Sequence, residues 1–217
     1  MNAVGTNSLA ENNSKEILMD RLFKAGWVIS MAYFVYAAIS EWWKDPSRAT
    51  LILLVISGLI TLAVSILSRR PTIRDMSPFA IFLALAATYY YPVLLLTPGT
   101  HLIPEWAGVI IQCFGIMGEA SAKLSLGRSF GMLPAHRAVV VRGVYRFVRH
   151  PMYLGYSLSF IGFLLTNFGW RNLIIYGVLF VFLGFRINLE EKVLRTADPS
   201  YNDYCKRVPY RVIPFVI

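Results

Sequence analysis

Charge is what this chain has least of. Of its 217 residues 15% are charged, against 56% hydrophobic and 14% aromatic, and mean hydropathy is +0.54. A soluble domain carries about 25% charged and roughly 45–50% apolar residues, so the shortage excludes a water-soluble globule. Cysteine and histidine are scarce as well, at two and three residues. Cys113 falls in an apolar stretch and Cys205 in a basic C-terminal tail, which places them at different membrane depths. Neither a disulfide framework nor a zinc cluster follows, and no metal site is expected. Also missing are the alternating ten-residue pattern of a membrane barrel, an internal repeat and a low-complexity linker. Met1–Asp20 is polar and mixed in charge, with no apolar run ending in a small-residue cleavage site, so a cleaved signal peptide is not expected.

What is present is a series of six apolar, charge-poor runs, at about 23–41, 50–67, 78–96, 106–124, 153–168 and 170–189. A helix needs about 20 residues to cross the hydrocarbon core, and only helices or closed barrels satisfy their backbone in lipid. The first three runs are bounded by Trp42-Trp43, by Ser68-Arg69-Arg70-Pro71 and by Tyr89-Tyr90-Tyr91-Pro92, the punctuation of interfaces and helix ends. The last two are separated by Asn167, Phe168 and Gly169 alone, which predicts a tight helical hairpin. The expectation is an all-α polytopic integral membrane protein with about six transmembrane helices. It divides into a polar N-terminus (1–22), transmembrane helices 1–4 (23–123) and a C-terminal region (124–217) holding helices 5 and 6 and a tail. Assigning basic residues to alternate sides places 18 of the 21 with the two termini, leaving Lys44, Arg48 and Arg171 opposite. The positive-inside rule therefore predicts that both termini are cytoplasmic. The net charge of +9 is then a property of that face, fitted to anionic headgroups rather than to nucleic acid. The bilayer is the partner that follows; no required protein partner is evident.

Three features from Leu124 onward are unusual for a passive anchor. Arg149-His150-Pro151-Met152-Tyr153-Leu154-Gly155 opens the fifth run. Pro151 suits the first helical turn and puts His150 at the cap, so free backbone donors, Arg149 and His150 together suit an anion. The alternative is a headgroup-anchoring Arg149 and a merely capping His150. Next, Arg186 and Glu190 share a helix face at the end of the sixth run, and Glu191 projects about 100° further round. Two acids at the end of a membrane helix oppose its macrodipole and are costly to desolvate, so they require partners. An internal Arg186–Glu190 pair with a solvated Glu191 is the simpler alternative. Finally, Pro199 ends that helix, later prolines keep the remainder extended, and the density of tyrosine and branched aliphatics over 201–215 predicts packing back onto the hairpin. Elsewhere, Glu119 and Lys123 read as an intrahelical pair or as part of a substrate channel. His101 reads as structural or solvated, and His136 is left undecided in the long basic connection.

The order Gly-Arg-Ser-Phe (127–130), Val141-Arg142-Gly143-Val144-Tyr145-Arg146, the Arg-His-Pro-x-Tyr-x-Gly box, the Arg-x-x-x-Glu-Glu pair and the Tyr-x-x-Tyr…Val-Pro-Tyr-Arg tail resembles the isoprenylcysteine carboxyl methyltransferase family, over about residues 124–217. The resemblance implies a membrane-embedded, S-adenosylmethionine-dependent methyltransferase whose cofactor lies between the last two helices and the tail, near the cytoplasmic interface. Tyr145, Arg149, His150, Pro151, Tyr153, Gly155, Glu190, Glu191 and Tyr204 would hold the cofactor. Arg186 would face the acceptor carboxylate, with Glu190 beside it as the second residue of the reaction. The residue types agree: a carboxylate wants a helix N-terminus or Arg, an ammonium and hydroxyls want carboxylates, and a sulfonium can lie against an aromatic face. The Gly-rich fingerprint of soluble cofactor folds is absent, so another scaffold must do the binding. Relatives of the family methylate the amine of phosphatidylethanolamine, so the lipophilic acceptor is prenylcysteine-like or a phospholipid. The tail Val208–Pro214 also resembles the end of nicotinamide-dependent sterol reductases, though these have more spans than 217 residues hold. A non-enzymatic scaffold is a third reading, and it gives the charged residues no reason to converge.

Overall fold

In the computed structural model, which describes residues 3–67, 73–74, 77–126, 135–136 and 140–216, helices form at all six apolar runs. They are α1 (Ala3–Lys44), α2 (Ala49–Leu67), α3 (Pro78–Thr88), α4 (Glu105–Leu126), α5 (Pro151–Thr166) and α6 (Trp170–Ala197), followed by a short α7 (Ser200–Arg207). The fold is all-α apart from a two-residue antiparallel pair, β1 (Ile73–Arg74) with β2 (Ala135–His136), in register Ile73 to His136 and Arg74 to Ala135. Among the described residues four helices are long and apolar enough to cross a membrane, over Arg21–Lys44, Ala49–Leu67, Glu105–Leu126 and Trp170–Ala197. The outward faces carry large apolar side chains such as Ile29, Tyr36, Phe114 and Ile174, the coat of an integral membrane protein rather than of a soluble one.

The third run is not a continuous span. Ser77 caps α3 through a hydrogen bond accepted from the Ala80 amide at 3.2 Å, but α3 stops at Thr88 after 11 residues, about 16 Å. Pro92 cannot continue the ladder, and the chain runs on as a 3-10 turn at Tyr91–Val93 and an irregular stretch to Leu96. Non-helical backbone at such depth survives only inside protein, with its polar groups paired. Here Asn172 accepts from the Leu95 amide and donates to the Leu95 carbonyl, both at 2.9 Å. Arg171 donates to the Val93 carbonyl at 3.0 Å and Arg48 to that of Leu96 at 2.8 Å. The broken segment thereby brings Tyr90, Tyr91, Leu94 and Leu96 into a core with Trp27, Phe34, Leu54, Phe163 and Tyr176.

The expected hairpin of the last two runs is also modified. The connection through Asn167, Phe168 and Gly169 is as short as the sequence predicts, yet α5 packs most closely on α4. The cause is a pair of glycines on each helix. A Cβ on Gly115 would lie 2.7 Å from the Gly155 carbonyl, and one on Gly162 would lie 2.9 Å from that of Gly108. Backbones meet where side chains are absent, the usual device of membrane helix pairs. α6 stands off from α5 and leaves room between them. At the far end from the site, Thr50 donates to Glu105 through its amide (2.8 Å) and hydroxyl (2.6 Å), and Arg48 donates to Asn167. His101 stands 3.9 Å from Glu105 there, half-exposed, consistent with the structural or solvated reading.

Candidate active site

The N-terminus of α5 and the C-terminal turns of α6 lie at the same end of the molecule, because the two helices run antiparallel. The seven-residue box and the acidic pair are thereby brought together. Pro151 occupies the first turn of α5, and His150 stands at the cap position without capping: its side chain turns instead to α6. His150 Nε2 lies 3.3 Å from Glu191 Oε1, and its Nδ1 lies 3.9 Å from Glu190 Oε2. Glu190 Oε1 accepts from the Tyr153 hydroxyl at 2.7 Å and from Arg186 Nε at 3.0 Å, and the Arg186 guanidinium sits over the Tyr153 ring at 5.9 Å. The Arg186–Glu190 pair predicted from spacing is present, but it is not self-contained: Tyr153 and His150 complete it.

Glu191 is not solvated. It is 3% exposed and ringed by three guanidiniums, Arg149 at 3.4 Å, Arg211 at 3.2 Å and Arg195 at 3.5 Å, with the His150 imidazole beside them. The four belong to three parts of the chain, so Glu191 ties α6, the approach to α5 and the tail into one unit. The tail reinforces this through its backbone. The Arg149 amide donates to the Tyr210 carbonyl at 2.9 Å, the His150 amide to the Arg211 carbonyl at 2.7 Å, and the Arg149 side chain to the Pro209 carbonyl at 3.1 Å. Two donors that the sequence leaves for an anion are thus occupied by the tail. Tail packing follows expectation, with one difference: residues 200–207 form α7, whose Tyr201 and Tyr204 are buried with Val208, before the chain extends. Pro199 stands at its start, where proline is tolerated.

Tyr204 donates to the Tyr145 carbonyl at 2.8 Å, fixing the 3-10 turn Gly143–Arg146 beneath the tail. Burial pushes the Tyr145 hydroxyl well above its ordinary value, with the Glu190 charge adding to it, and burial does the same to Tyr204. Both are neutral near pH 7. Gly155 is the predicted site residue that the structure does not bring to the cluster. It lies between α4 and α5, where a Cβ would be 2.7 Å from the Glu119 amide and the Gly115 carbonyl, so its smallness serves helix packing. Gly127–Phe130 lie outside the described residues, as does the His136 side chain. Sequence reasoning missed Arg195 and Arg211 as partners of Glu191; the spacing of four from Glu191 could have found Arg195, whereas Arg211 offered its charge alone.

Inward of Arg186, between α5, α6 and the broken segment, lies a cavity walled by aromatic rings, including Tyr90, Tyr91, Tyr153, Tyr156 and Phe160. On its lipid-facing side an apolar groove runs between α3 and α6, lined by Phe82, Leu85, Val178 and Phe182; Tyr90 and Leu179 form part of both walls.

An all-α membrane scaffold that gathers Arg, His and paired carboxylates at one end of an aromatic cavity is that of an integral membrane protein with an enzyme-like site. Residues 104–197, which hold α4, α5 and α6, match the phospholipid methyltransferase family. Over 105 residues the chain is 35% identical to the protein-S-isoprenylcysteine O-methyltransferase of Schizosaccharomyces pombe, covering 45% of this chain and 44% of that protein. Over 84 residues it is 33% identical to a delta(14)-sterol reductase of Mus musculus, covering 37% of this chain and 20% of that protein. The chain thus spans less than half the length of these curated relatives. The similarity to an isoprenylcysteine O-methyltransferase supports the family relation that the ordered motifs predict.

Proposed function

We propose that the protein is a membrane-embedded, S-adenosylmethionine-dependent methyltransferase that acts on the carboxylate of an isoprenylcysteine-like acceptor. The observation that carries this reading is the placement of Arg186 and Glu190 where an aromatic cavity, neighboured by an apolar groove, meets the charged end of α5 and α6. A lipid chain would lie in apolar surroundings while its acid reaches a guanidinium. The donor set fits the cofactor as well. Arg149, Arg195 and Arg211 outnumber the one carboxylate they share and suit an amino acid's carboxylate, while Glu190 suits an ammonium or ribose hydroxyls. Glu191, His150 and Tyr204 would hold that site in shape, and Tyr153 would offer a ring face.

The cofactor, when bound, supplies an electrophilic methyl group on a positively charged sulfur. An ionised carboxylate oxygen would need no base to take that methyl, the electron pair of the broken bond remaining with the donor, so no side chain here has to accept a proton. Arg186 orients that oxygen, and the aromatic wall excludes water, so positioning supplies most of the acceleration. The basic face supports a cytoplasmic location for this chemistry and for both termini. Phospholipid N-methylation is the second reading, favoured by the family matched over 104–197; an ammonium acceptor must first lose a proton and is repelled by Arg186. The test is incubation with labelled donor, phospholipids and a farnesylcysteine analogue, read by mass spectrometry. Methyl ester on the analogue is expected, and label on headgroup amine alone overturns the carboxyl reading. In calorimetry the protein should bind S-adenosylmethionine in preference to NADPH; the reverse preference favours a reductase.

A further inference from the structure

The buried pair Glu119 and Lys123 has no part in the cofactor site, yet it stands behind one wall of the cavity. Glu119 Oε2 accepts from Ser57 at 2.7 Å, and its Oε1 lies 2.9 Å from the Thr61 hydroxyl and accepts from Lys123. Lys123 also donates to Thr61 at 2.6 Å and sits over the Tyr156 ring, 5.0 Å from its centroid. Tyr156 in turn stacks on Phe160 (6.3 Å, 14°) and meets Tyr153 edge-on (6.1 Å). A charged pair kept at this depth is expensive and marks function more often than packing. Here it clamps one face of a ring whose edge lines the cavity.

The two neighbouring tyrosines differ in what their hydroxyls do. That of Tyr153 is committed to Glu190. That of Tyr156 makes no hydrogen bond to a described residue, and Tyr156 lines the same cavity as Arg186. A hydroxyl and a guanidinium facing one cavity are a donor pair matched to an oxyanion, whereas an ammonium there would meet Arg186 and Lys123 as like charges.

Resting on the methyltransferase reading above, we infer that Tyr156 is an acceptor-binding residue: its hydroxyl and Arg186 together hold the carboxylate of a lipophilic acid, and the Lys123–Glu119 pair is a positioning element that fixes the ring. The test is Tyr156→Phe, which removes one oxygen and keeps the stacking, assayed with S-adenosylmethionine and the farnesylcysteine analogue. Loss of a charge-assisted hydrogen bond should raise the acceptor KM about 10- to 100-fold, with donor affinity and melting temperature unchanged. Tyr153→Phe should instead weaken donor binding, through Glu190. Wild-type carboxyl methylation with an unaltered acceptor KM in Tyr156→Phe overturns the assignment of Tyr156 alone. A wild-type protein that esterifies no acid overturns the carboxyl-methylation reading above and this inference with it.

Discussion

Adjacent on α6, Glu190 and Glu191 point about 100° apart, and their surroundings set different outcomes for the same substitution. Glu191 is the shared anion of three arginines, with a histidine beside it, so Glu191→Gln leaves the buried Arg149 without its carboxylate and should cost about 3–5 kcal/mol, read as a fall in melting temperature in detergent. Arg211→Ala removes a half-exposed member of the same group and should cost no more than about 1 kcal/mol. Arg186→Ala should keep donor affinity and lose turnover, whereas Glu190→Gln should weaken donor affinity itself. If the two form a salt bridge and nothing more, both act through stability and the double variant recovers part of the loss. Donor affinity, turnover and melting temperature for the two singles and the double decide this.

Among the elements, the close pairing of α4 and α5 rests on positions where no side chain can be accommodated. Gly155→Val should destabilise by about 1–3 kcal/mol or more, since the atoms its Cβ meets are backbone and cannot swing away. Denaturation monitored in micelles would show it, and an unchanged midpoint would mean that the helices separate freely. The glycines at 108, 115, 155 and 162 stand seven apart on each helix, a spacing visible in the sequence, but which helix faces them is a tertiary fact. Apolar runs, the proline-led start of α5 and the Arg186–Glu190 face were legible because each depends on local periodicity. Tyr89-Tyr90-Tyr91-Pro92 marked the end of α3, but the buried irregular course beyond it was not legible, because it depends on Asn172, Arg171 and Arg48 reaching across to pair the backbone. Likewise the role of Arg211 comes from the tail folding back some twenty residues after Glu191, and charge alone does not announce that return.

For the whole molecule, the reading with a cytoplasmic basic face makes the two cysteines reporters of opposite kinds. Cys205 is partly accessible on α7, and Cys113 faces outward from α4, where lipid covers it. A membrane-impermeant maleimide should label Cys205 when applied from the cytoplasmic side of vesicles, and neither cysteine when applied from the other. Labelling of Cys205 from the opposite side reverses the topology.

The uncharged stretch of α6 has one more consequence. Between Arg171 and Arg186 lie 14 residues without a charge, so the two guanidiniums are separated by about 22 Å along the axis. A typical hydrocarbon core is about 30 Å thick. The helix is therefore short for its bilayer at the level of these arginines, and a membrane can meet it by thinning locally or by drawing Arg186 beneath the headgroups, where the cavity already shelters it. Acyl chain length thus becomes a control on the reaction: turnover in vesicles of short-chain lipids should exceed that in long-chain lipids, because the depth at which acid and methyl donor meet is set by how much membrane α6 has to cross.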